Sequence, residues 1–206
     1  MPDPPLAGIL WGSVGPLLVT SAAIMGSPGP ATISLTATGA AFGVRRSLAY
    51  LAGIVVGTSV VLVAVATGIT ATLLAVPSLR PVLIGVSAAY ILWLAYHVAT
   101  APPLSAGAAD SDAPSLGGGA VLGVANPKAW VAIAAVFAAV RIADTATLDA
   151  AAKVAALTVM IVLINTVWLV AGASLAPLLR DPRRARLLNV GLAVALVAAT
   201  ALAVVH

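Results

Sequence analysis

Two short segments hold the residue types that could bind a small solute: "GSPGP" at 26–30 and "NPKAW" at 126–130. Pro28 and Pro30 each lack an amide N–H, and each ring obstructs the carbonyl one turn earlier, so a helix running through Gly26, Ser27, Pro28, Gly29 and Pro30 must break there. A broken helix presents amides that attract an anion at one end and carbonyls that attract a cation at the other. An amino acid carries both groups. In the second segment Asn126 can cap a resumed helix, Pro127 suits its first position, and Lys128 adds a positive charge. A lysine within an apolar stretch costs roughly 2.5–3.5 kcal/mol and marks a pathway or a partner. These groups divide the work: amides near Gly29 and Ala31, with Lys128, for a carboxylate, and carbonyls near Gly26, Thr32 and Asn165 for an amine. Trp168 shares a helical face with Asn165. Thr32, Ser34 and Thr36 could line a polar path, although such hydroxyls usually bond back to their own helix. The competing reading is a packed proline kink, with Lys128 snorkelling to the interface.

The elements that position these residues are membrane spans. The chain of 206 residues is 62% hydrophobic and 8% charged, where soluble domains carry about a quarter charged residues. Its apolar runs each reach the roughly 20 residues that cross a bilayer. They predict an all-α membrane protein with about six transmembrane helices, near 8–42, 47–76, 81–99, 117–140, 150–179 and 187–205. The first and fourth are broken at the proline motifs. Strands are excluded because the runs are apolar on all sides rather than alternating. The whole chain, 1–206, reads as a single transporter domain: a first repeat over about 8–100, a flexible cytoplasmic linker over about 101–116, and a second repeat over about 117–206. The linker "TAPPLSAGAADSDAPSLGGGA" is too poor in large apolar residues to order itself. "AVPSLRP" and "LAPLLRDP" end matching spans, and three spans per half place the second half upside down, an inverted-repeat plan. Small-residue pairs at Gly39 and Gly43 and at Gly53 and Gly57 should pack helices within the chain.

Orientation follows the distribution of Lys and Arg. Placing Arg45, Arg46, Arg180, Arg183, Arg184 and Arg186 in the cytoplasm leaves Arg80, Arg141 and Lys153 outside, and puts both termini outside. No Asp or Glu falls within any of these spans. The chain has no cysteine, which removes disulfides and thiolate chemistry, and no histidine cluster or paired carboxylates suggest a metal or an enzyme. No cofactor is expected. The ten Lys and Arg residues sit beside the spans, so topology rather than nucleic acid accounts for the positive charge. The expected partners are a small-molecule substrate and the lipid bilayer, with homo-oligomerisation left open. A second class of function is a membrane helper or scaffold for envelope lipid export that moves nothing itself, motivated by the lack of intramembrane carboxylates.

With "GVRRSLAYLAGIVVG" after the first break and "AAYILWLAY" in the third span, the ordered pair "PGP" and "NPK" resembles the lysine-exporter type translocators over most of the chain from about Pro16. The resemblance implies six helices, an inverted repeat, a multi-pass location in the bacterial inner membrane, and proton-driven efflux of small amino acids or their derivatives. Its motif positions fall on Pro28, Gly29, Pro30, Asn126, Pro127 and Lys128. Two departures stand out: Ala31 follows "PGP" where relatives usually carry Asn or Asp, and Asn165 stands where many carry Asp. Both losses favour a neutral solute over a cationic one.

Overall fold

The computed structural model describes residues 8–68, 113–175 and 181–205, with scattered positions between 85 and 100. It is all-helical among those residues: α1 (Trp11–Met25), α2 (Pro30–Ala66), α3 (Leu116–Ala125), α4 (Pro127–Ala139), α5 (Ala146–Ser174) and α6 (Pro182–Val205). By length and composition α2 and α5 can each cross a bilayer, and α3 with α4, bent by 57°, form a further candidate span. Most of the expected third span and nearly all of the linker lie outside the described residues.

The 37-residue α2 is a hairpin. Gly43 has φ 74° and ψ 169°, a combination that a Cβ would forbid. Tyr50 Oη donates to Ser34 Oγ at 3.1 Å across 16 residues of sequence, and Ser47 Oγ donates to the Thr38 carbonyl at 3.2 Å. On a straight helix residues so far apart would be separated by about 24 Å. The chain therefore folds back at Gly43 into arms 30–42 and 44–66. The turn falls next to Phe42, where the first expected helix ends. Gly43 is thus the turn itself and packs against nothing, which corrects its assignment to a helix contact.

Glycine does set the close contacts elsewhere. A Cβ on Gly57 would lie 2.4 Å from the Ala120 carbonyl oxygen, and one on Gly123 would lie 2.8 Å from that of Ile54. Gly53 and Gly119 interlock in the same way, so the second arm of α2 and α3 meet backbone to backbone. The first arm meets α5 equally closely, through Gly39 beside Leu169 and Gly172 beside Thr36. These contacts let dispersion and backbone packing join helices where lipid provides no hydrophobic drive. Two apolar clusters fill the remaining space. One lies around Leu35, Tyr50, Ile54, Leu122 and Leu169, and the other around Leu17, Leu62, Ile133, Leu157 and Ile161.

The turn from α4 to α5 is tightly tied. The segment at Ile9 bridges Ala143, with Leu10 N donating to the Ile142 carbonyl at 2.8 Å and Asp144 N donating to that of Gly8 at 3.0 Å. Asp149 Oδ1 accepts from the amides of Ile142 and Ala143 at 2.6 and 3.2 Å. Its other oxygen pairs with Lys153 at 2.7 Å. Lys153 is only 3% exposed, and its Nζ also donates to the Phe137 carbonyl at 2.8 Å. This revises the sequence reading on two counts. The helix begins at Ala146, about a turn before the expected start near 150, and Lys153, counted among the outer-side charges, is a buried cap on the last turn of α4.

Candidate functional site

Both expected breaks are present, and each resumed helix begins with a proline at its first position. After α1, Gly29 takes an extended conformation, φ −168° and ψ 179°. Thr32 Oγ1 accepts from its amide at 2.9 Å and donates to its carbonyl at 3.1 Å. After α3, Asn126 caps α4, its Oδ1 accepting from Lys128 N at 3.1 Å. Helix propensity therefore fails only locally, where proline removes a donor and the capping side chain takes over.

Several carbonyls at and just beyond the end of α1 are taken by side chains. Ser27 Oγ donates to that of Ile24 at 2.8 Å, and Trp168 Nε1, from α5, donates to that of Gly26 at 3.1 Å. Lys128 Nζ reaches across from α4 to the carbonyls of Ser27 and Pro28, the latter at 3.2 Å. In α3, Trp130 Nε1 donates to the Val124 carbonyl at 2.7 Å. Groups that would each cost several kcal/mol if bare in lipid are thus satisfied, two of the caps being local (Ser27 and Trp130) and two, Trp168 and Lys128, reaching at least 100 residues along the chain. Ser34 and Thr36 bond back to the carbonyls of Ala31 and Thr32 at 2.7 and 3.0 Å, as such hydroxyls usually do.

Between the breaks lies a cavity of about 50 Å³, room for a few water-sized groups. Gly29, Thr32, Asn126, Lys128 and Asn165 line it, as do Met25, Ala31, Thr58, Ala129, Ala132, Ile133, Ile161 and Ile164. Asn165 Nδ2 donates to the Ile161 carbonyl at 2.7 Å, which leaves its second N–H and its Oδ1 without a bond in that contact. Of the residues expected from sequence, Gly26, Ser27, Pro28, Pro30, Pro127 and Trp168 do not line the cavity. Gly26 and Trp168 bond each other, while Ser27 and Pro28 hold the lysine that does line it. Thr58, which is 7% exposed, was not anticipated. A signal was present: it follows Gly57, and the pair Gly53 and Gly57 has the same spacing as Gly119 and Gly123, which would set Thr58 beside the Asn126 break. The lining contains an ammonium, hydroxyls, carboxamides and apolar walls, and no carboxylate.

Two helix breaks face a small, largely apolar cavity with a few polar groups inside an apolar helical bundle, an arrangement that membrane transporters use. The chain belongs to the LysE type translocator family, which matches residues 22–205. It is also similar to the cysteine/O-acetylserine efflux proteins of Salmonella choleraesuis (strain SC-B67), Salmonella typhi and Salmonella typhimurium (strain LT2), at 42% identity over 77 residues. That stretch is 37% of this chain and spans 39% of the length of those relatives. No solved structure matches the chain.

Proposed function

We propose that the protein exports a small, net-neutral amino acid or amino-acid derivative across the bacterial inner membrane, with the cavity at the paired breaks as its binding site. The observation that carries this reading is the composition of the lining, one ammonium and several uncharged polar groups against apolar walls. Such a site can orient a zwitterion and gives a cationic side chain no counter-ion. The names of the relatives, which point to cysteine and O-acetylserine, agree in solute size and charge. Six spans in two inverted halves, with both termini outside, would let the two breaks exchange access across the midplane. Efflux would draw on the proton motive force.

Counterflow of radiolabelled cysteine, O-acetylserine, threonine and lysine into proteoliposomes holding only this protein tests the proposal. Uptake of one or more of the neutral solutes and exclusion of lysine is the expected outcome. No counterflow with any of them would favour a helper that moves nothing itself, and preferential movement of lysine would refute the neutral-solute reading.

A further inference from the structure

The Lys128 amine is bound to the end of α1, and the way it is bound indicates a site of its own. Ser27 and Pro28 offer two carbonyls in the bend just past the C-terminal end of α1, close to the partial negative charge that the peptide dipoles leave there. Of the other caps at this break, Ser27 Oγ is local and the Trp168 indole N–H is carried on a rigid ring. The Lys128 ammonium sits on a long flexible stem that also lines the cavity. An ammonium has three donors, and two are spent on these carbonyls.

Gly29 supports this independently. Its extended backbone is open to any residue, yet a Cβ there would lie 2.5 Å from Lys128 Cδ and 3.1 Å from Nζ. The missing side chain makes room for the lysine stem to lie flat across the break. The chain thus has a groove for the stem and a carbonyl pair for the charge, which together fit a primary alkylammonium.

We propose that the Ser27 and Pro28 carbonyls form an ammonium-binding site that Lys128 fills from within the chain, and that the ammonium group of the transported solute competes with Lys128 for it. The second part rests on the export reading above. On displacement, Lys128 is released toward the solute's carboxylate, so one exchange of partners serves both ends of a zwitterion.

The test is chemical rescue. Lys128→Ala removes the atoms from Cγ to Nζ, and propylammonium supplies the same three carbons and nitrogen. Purified Lys128→Ala should melt lower than wild type, and propylammonium should raise its melting temperature saturably, as a ligand of the folded state does. Trimethylpropylammonium, which keeps the charge and lacks N–H, and 1-propanol, which lacks the charge, should not. Lys128→Met keeps a stem in the groove and should show no response to propylammonium. If Lys128→Ala is not recovered folded, the folded yield on extraction with each additive gives the same comparison. Equal effects of propylammonium and its trimethylated analogue, or equal rescue of the Met variant, would overturn the proposal. Melting involves no transport, so this outcome and that of the counterflow assay stand apart.

Discussion

Gly57→Ala places a methyl group where α2 and α3 have no room for one. The new Cβ would lie 2.4 Å from the Ala120 carbonyl oxygen and 3.0 Å from both Gly123 Cα and Val124 N. Restoring an ordinary contact of about 3.5 Å requires the helices to part by about 1 Å, because all three neighbours are backbone and cannot rotate away. Overpacking of this kind costs about 1–3 kcal/mol. Alanine returns up to about 1 kcal/mol as the better helix former, so at the middle of that range repulsion wins by about 1 kcal/mol. For a chain of this size each kcal/mol moves the melting temperature by about 2–4 °C. The displacement also separates Thr58 from Asn126 across the cavity, and a 1 Å error in such a site should lower transport on the order of tenfold or more. Thermal melting in detergent, followed by tryptophan fluorescence, measures the first effect and proteoliposome counterflow the second. Gly15→Ala is the control, since a Cβ there meets nothing within 4 Å, and it should leave melting unchanged or raise it. A Gly57→Ala protein as stable and as active as wild type would refute the backbone contact between these helices.

Four further substitutions follow from the same geometry. Lys153→Met takes the ion-pair partner from the partly buried Asp149 and uncaps the Phe137 carbonyl, and should cost about 1–3 kcal/mol as the loss of a charged hydrogen-bond donor does; Asp149→Asn, which keeps an oxygen for the Ile142 and Ala143 amides, should cost less in the same melting assay. Trp168→Phe keeps the ring and bares the Gly26 carbonyl, a loss of about 1–3 kcal/mol, and an unchanged melting temperature would exclude that cap. Thr58→Val preserves shape and removes a hydroxyl from the cavity, so half-saturation of counterflow should rise for hydroxylated solutes while melting stays the same.

The parts of this molecule legible in its sequence are those enforced by one or two residues acting locally. Pro30 and Pro127 each start a helix, Asn126 caps one, and Gly53 and Gly57 bring backbones together, because proline, asparagine and glycine act through their own covalent structure. What escaped the reading depends on partners far along the chain. The carbonyls of Ser27 and Pro28 find Lys128 about a hundred residues on, and Gly26 finds Trp168, pairings that no local pattern encodes. Lys153 was misplaced because a lysine near the end of an apolar run looks like an outer-side charge; Asp149, four residues earlier, was the overlooked sign of a helical ion pair. Gly43 was read as half of a small-residue pair, because spacing alone cannot tell a contact from a turn.

The capping of α1 by Lys128 also bears on how the protein is made. At about 5–20 residues per second, roughly 5–20 s pass between synthesis of Ser27 and arrival of the lysine that covers its carbonyl. Through that interval the first half sits in or beside the insertion machinery with part of its backbone bare. A nascent chain truncated before Asn126 should therefore stay attached to that machinery or be degraded. The end of α1 should become stable in the membrane only after residues 126–130 arrive, which would link the maturation of two segments that are separate in sequence.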